Sequence, residues 1–247
     1  MKRNHFKRFA ALALSAVCGA ACLAGCGTQP TAATALETIQ QPKTGSYEDW
    51  ELIQQTRQEN PVSESTFTAL DHFAYTTAAQ VLGEDADGSY SPLSLYYALA
   101  LAATGAAGET QTQMLDLLGI SDPAQLSDQC AKLYRLLIRD NEVGTLRLAN
   151  SLWMDQRVDW KQSFVTQAAQ DFYAEVYQVD FTTDEAPQAM AQWVAQQTGG
   201  LLTPTFQPTD QQVLSLLNTL YFTDEWYDRF QSKNTQSDTF TKADGSQ

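Results

Sequence analysis

The run VLSLLNTLYFTDEW, residues 213–226, is the stretch on which the fold turns. Its first ten residues are apolar apart from Ser215, Asn218 and Thr219. A near-continuous apolar run of strand length belongs to a strand covered on both faces. Periodicity alone would also allow a buried helix. Length and the aromatic and β-branched members favour strand. Asn218 interrupts the run. A buried amide costs free energy unless it is hydrogen-bonded, so Asn218 is expected to have a definite partner.

Working upstream, WVAQQTGGLL (residues 193–202) includes the end of an amphipathic helix over 189–198, with Met190, Trp193 and Val194 on one stripe and Gly199-Gly200 as its stop. YAEVYQVDF (173–181) and LANSLWMDQ (148–156) read as strands, with a helix between them near 160–170. Ser121-Asp122-Pro123 opens a helix with a cap and a first-turn proline, and Leu126, Cys130, Leu133 and Leu137 mark its inner face. Ser91-Pro92 opens another that is apolar nearly all round and therefore buried, with a second helix ending at Gly119. A first helix spans 65–82, with Phe67, Leu70, Phe73, Ala74, Thr77, Ala78 and Val81 on its apolar side and Ser63 or Ser65 as cap. His72 lies off that side and reads as solvated.

Several of these segments, in this order, resemble one family. Leu-Leu-Asn-x-Leu-Tyr-Phe-x-x-x-Trp over 216–226, followed by Phe230, is similar to the third strand of the serpin central sheet. SPLSLYYALALAATGAAGETQTQMLDLLG (91–119) resembles the helix pair beneath that sheet. LANSLWMDQ resembles its second strand, YAEVYQVDF its edge strand, and WVAQQTGGLL the helix across its front. The resemblance covers residues 67–245. It implies an α+β fold with helices packed around a large mixed central β-sheet.

The resemblance also implies a mechanism. A serpin offers a loop to a protease, and the cleaved loop inserts beside the third strand while the enzyme is still acylated. The partner would be a serine or cysteine protease. The resemblance assigns Ser91, Ser94 and Asn218 to the polar cluster that holds the sheet shut, and Trp226 to the top of the strand. Ser91 also reads as a plain helix cap, whereas Ser94 inside an apolar helix needs a partner. The pattern departs from the family at Asp87-Gly88, where an Asn is usual. The later strands, the reactive-centre loop with its cleaved bond and the histidine that completes the cluster do not appear. The chain is therefore expected to be the N-terminal portion of a longer inhibitor. A non-inhibitory surface binding protein and an inactive truncated product are the alternatives.

The first residues carry a separate signal. Lys2, Arg3, Lys7 and Arg8 precede an Ala-rich apolar run that ends in Leu23-Ala24-Gly25-Cys26. This resembles a bacterial lipoprotein box, implying removal of 1–25 and lipidation of Cys26. An ordinary secretory signal is the plainer reading. The expected organisation is a signal peptide (1–25), a flexible tether rich in Thr, Gln, Ala and Pro (26–61) and a serpin domain (62–247). Within the tether, Trp50, Leu52 and Ile53 offer at most local packing. The expected location is the outer face of the cell membrane, held by the lipid alone, or secreted.

Composition narrows the remaining classes. The net charge is −14 with 15 Lys plus Arg against 29 Asp plus Glu, which argues against nucleic-acid binding. Past Cys26 the sole cysteine is Cys130, so an intrachain disulfide would have no partner. A single histidine past the leader, His72, with no P-loop, dinucleotide or G-x-S-x-G motif, makes a poor enzyme. No cofactor, metal or catalytic residue is expected, and a monomer is. The acidic run 84–87 is too short for a calcium loop.

Overall fold

The computed structural model describes residues 33–83 and 88–247. The leader, Cys26 and the acidic run 84–87 lie outside the described residues. In chain order, the described elements are β1 (Thr34–Ala35), α1 (Trp50–Glu59), α2 (Glu64–Val81), α3 (Pro92–Gly105), α4 (Gly108–Leu118), α5 (Pro123–Leu137), β2 (Arg139–Asp140), β3 (Thr145–Asp155), α6 (Gln162–Asp171), β4 (Ala174–Val179), α7 (Glu185–Gln197) and β5 (Leu214–Thr223). The five strands form one mixed sheet around β3. β3 runs parallel to β4, which requires the α6 crossover, and antiparallel to β5. β2 pairs with the start of β3, and β1 pairs with β4.

Strand alternation divides the side chains between two layers. Leu148, Leu152 and Met154 of β3, Ala174 and Val176 of β4, and Leu214, Leu216 and Leu220 of β5 face the main core. That core is filled from α2–α6, with Phe73, Tyr96, Tyr97, Leu126 and Phe172 almost wholly buried. Ala149 and Trp153 of β3, Tyr177 and Val179 of β4, and Leu217 of β5 face a second core under α7, built on Met190, Trp193 and Val194. The sheet is thus a layer with helices on both sides.

Local chemistry sets the helix starts. The Ser91 hydroxyl accepts from Ser94 N at 3.2 Å, and Pro92 fills the first turn, where its missing N–H costs nothing. The Asp122 carboxylate accepts from Ala124 N at 2.9 Å ahead of Pro123. Ser63, not Ser65, caps α2. Gly119 ends α4 at φ 70°, a left-handed position where a Cβ would also meet Ala69 Cβ at 2.9 Å. Gly245 takes φ 80° in an Asp-Gly turn closed by Lys242 N donating to Ser246 O at 2.8 Å.

Three expectations need correction. The inner face of α2 is Thr66, Ala69, Phe73 and Thr77, while Phe67 and Val81 are exposed. Thr66 and Thr77 satisfy their hydroxyls, on Gln129 and on Phe73 O, and so turn inward despite being polar. Second, the described part of the 26–61 segment is not a free tether. Thr34 and Ala35 add a short strand to β4, and Leu36 N donates to Val176 O at 2.8 Å. Leu36 and Ile39 pack on the main core, and Asp49 caps α1. A few apolar residues in polar surroundings are enough once a sheet edge supplies backbone partners. Third, the run 214–223 is a strand, but a half-buried one. Its α3 side packs on the main core, its α7 side opens partly to a groove, and the edge away from β3 is unpaired among the described residues.

Candidate functional site: the β5 edge and the polar pair beneath it

Asn150 stands opposite Asn218 in the antiparallel register of β3 and β5. Both side chains point toward the α3 side, by strand alternation with Leu148, Leu152, Leu216 and Leu220. Asn218 Nδ2 donates to Asn150 Oδ1 at 2.6 Å. Asn150 Nδ2 donates to the Phe172 carbonyl at 2.7 Å. The chain of two amides therefore joins β5 through β3 to the entry of β4. Asn218 Oδ1 is buried with no hydrogen-bond partner among the described residues. An unsatisfied buried acceptor is costly and asks for a donor.

The expected cluster of Ser91, Ser94 and Asn218 is not hydrogen-bonded together. α3 does pack against β5. Yet the Ser91 hydroxyl is spent on the helix cap, and Ser94 contributes its backbone N–H to that cap rather than its hydroxyl to Asn218. Asn218 finds Asn150 instead, because the register places the two amides face to face. Asn150 was the residue the sequence reading passed over. The signal was available: the burial argument applied to Asn218 holds equally for an amide inside the apolar LANSLW run. Ser91→Ala is expected to cost about 1 kcal/mol as a lost cap, and Ser94→Ala only a few tenths. Urea unfolding of the two variants side by side checks this.

Trp226 does not sit over the sheet. It lies three residues beyond β5, is 74% exposed, and touches the Phe230 ring edge-on at a centroid distance of 6.4 Å. The strand ends at Thr223, before the tryptophan can reach a neighbouring strand. Tyr227 and Phe240 are exposed as well.

On the α7 side, an open groove of about 510 Å³ runs along β5. Leu217 and Thr219 of β5 line it together with Val194, Leu202, Pro204 and Phe206. Two more buried polar groups here have no partner among the described residues, Thr219 Oγ1 and Trp193 Nε1.

The N-terminal end of β5 is clasped. Asp155, fully buried, takes two bonds from the Arg157 guanidinium at 2.7 and 2.9 Å, one from Arg157 N and one from Phe181 N. Arg157 also donates to the carbonyls of Asp210 and Gln212, just before β5. The Arg157 side chain holds the Asp155 carboxyl down from 3.8 to about 2. A depressed carboxyl pKa stabilises the fold above the unfolded value, and that share is lost as pH falls. Denaturant midpoints should therefore drop between pH 3.8 and about 2. Asp155→Asn should flatten most of that slope, since the other lowered carboxyls, Asp128, Asp180 and Asp244, reach solvent and are screened.

Elsewhere the chemistry is quiet. Cys130 is buried, and burial pushes its thiol well above the ordinary value, so it packs as a small apolar group. Among the described residues no group of His, Cys, Asp and Glu is arranged to hold a metal. No described helix is long and apolar enough to cross a membrane.

A mixed sheet with helices on both faces, and a half-buried strand whose outer edge is unpaired among the described residues above a pair of linked amides, define an α+β architecture. Residues 68–247 match the family model described as Serpin (serine protease inhibitor). The chain belongs to the serpin family. Serpin-Z2B of Triticum aestivum is 34% identical over 169 residues, covering 65% of this chain and 42% of its own length. Serpin B6 of Macaca fascicularis is 29% identical over 171 residues, covering 65% and 46%. Among solved structures, the thermophilic serpin tengpin in its latent state superposes with a TM-score of 0.69 at 23% identity, covering 75% of this chain and 51% of that one. The chain thus spans less than half the length of the curated relatives it matches. Members of this family are typically inhibitors of proteases rather than catalysts.

Proposed function

We propose that this chain forms the receiving half of a serpin-length inhibitor that traps a serine or cysteine protease as a suicide substrate. The observation that carries the reading is the outer edge of β5. Its backbone is unpaired among the described residues, a groove runs beside it, and the buried Asn218 Oδ1 lacks a donor. An added strand would satisfy the backbone, fill the groove and could bring the missing donor. Inhibition then follows from stored free energy: insertion of the cleaved loop releases it and distorts the acylated enzyme before deacylation. We also propose that the protein is exported and lipid-anchored through Cys26 at the outer face of a bacterial membrane, acting as a monomer. The test mixes the serpin-length protein with trypsin-like, chymotrypsin-like and papain-like proteases. The expected result is a covalent complex that survives denaturing electrophoresis with at least one of them. Cleavage of the loop with no such complex in any mixture would contradict the inhibitory reading.

A further inference from the structure

A second cavity, of about 370 Å³, lies where the segment before α2 meets the end of α5. Lys43, Arg57, Arg135 and Arg139 line it, together with Trp50 and Asp49. The chain has almost twice as many acids as bases, 29 against 15. Three of its cations elsewhere are taken up by carboxylates, Lys132 by Asp128, Arg157 by Asp155 and Arg229 by Glu225. Around this cavity Lys43, Arg57 and Arg135 have no carboxylate partner among the described residues.

Lys43 and Arg57 make no ion pair or hydrogen bond among the described residues. Arg135 spends its donors on two neutral oxygens, Asn60 Oδ1 and the Tyr173 hydroxyl, the latter at 2.9 Å. Asp128 and Asp171 feel the Arg135 charge without touching it. Arg139 reaches Asp224 only at 3.5 Å. The one carboxylate in the wall, Asp49, is turned to the start of α1, accepting from Leu52 N at 3.1 Å.

The cavity is held rather than incidental. Tyr173 is the single non-glycine residue with positive φ among the described residues, at 51°, and its ring stacks on Tyr134 at 4.2 Å. That strained, stacked tyrosine fixes the Arg135 guanidinium, and Asn60 at the end of α1 fixes it from the other side. Strain of this kind persists where the surroundings over-determine it, and it concentrates at functional positions. The other wall, residues 43–57, precedes the family match, which starts at residue 68.

We infer that this cavity binds a small phosphate-type anion. Guanidinium forks match phosphate oxygens in pairs, and four cations lining one cavity, three of them with no carboxylate partner among the described residues, favour a multivalent anion over chloride. The volume is in the range of small-molecule sites, about 300–1,000 Å³.

The test uses pyrophosphate as probe in calorimetric titration of the purified chain, with sodium chloride at matched ionic strength as control. Saturable binding is expected for pyrophosphate alone. Arg57→Gln and Lys43→Gln should each weaken it about tenfold, as loss of a charge-assisted contact does. Neither should move the unfolding midpoint without ligand, because neither side chain holds a contact to lose. Lys132→Gln, at an ion pair outside the cavity, should leave binding unchanged. Unsaturable heat, the same affinity in Arg57→Gln and Lys43→Gln, or equal weakening in Lys132→Gln would overturn the assignment.

Discussion

Trp153→Ala is expected to cost about 4 kcal/mol of unfolding free energy, the range for deleting a large buried aromatic. Trp153 lies near the C-terminal end of β3 with no exposed surface. Its ring stacks on Tyr177 of β4 at 4.5 Å, and its indole N–H donates to the Ser151 hydroxyl at 2.8 Å. It also meets α7 through the core formed with Met190 and Trp193. Removing it opens a cavity between sheet and helix that neither stiff layer can collapse to fill. Trp153→Phe should cost roughly half as much, since it keeps most of the packing and gives up the hydrogen bond. Guanidinium unfolding of the three proteins checks the order. Equal stability of wild type and Trp153→Ala would mean that α7 does not rest on the sheet as described.

Asn150→Ala is expected to be the next largest effect, about 3 kcal/mol, because it strands two buried groups at once. The Phe172 carbonyl loses its donor, and Asn218 Nδ2 loses its acceptor. Asn218→Ala removes an amide whose oxygen already lacks a partner, so about 1–2 kcal/mol is expected there. The double variant should cost less than the sum of the two, since both singles break the same Nδ2–Oδ1 bond. A double-mutant cycle by urea unfolding measures this directly. Additive losses would show that the two amides do not act as a pair.

How much of this was legible in the sequence differs by kind of signal. The strand over 214–223 and the capped starts of α3 and α5 were readable, because apolar runs and Ser-Pro or Asp-Pro pairs act locally. The partner of Asn218 was not. Which polar group faces it depends on register between strands 68 positions apart, and no local pattern fixes that. Ser94 illustrates the converse: a hydroxyl on an apolar helix suggested a partner, yet it stays partly exposed and makes no bond to the sheet. Trp226 was assigned by resemblance, and the end of β5 at Thr223 leaves it outside the sheet. The strap of residues 34–59 was hidden for a composition reason. Its polar residues look like linker, while its order comes from backbone pairing to β4 and from Leu36 and Ile39.

The Asn218–Asn150 pair ties β5 to β3, and the outer edge of β5 is the proposed place of strand addition. Amide hydrogen exchange on the serpin-length protein, before and after cleavage of its reactive loop, measures this most directly. Peptides covering Leu214–Thr223 should become strongly protected on cleavage, while those covering Thr145–Asp155 and Ala174–Val179 stay as they were. Unchanged exchange along β5, or new protection appearing at β4 instead, would contradict it.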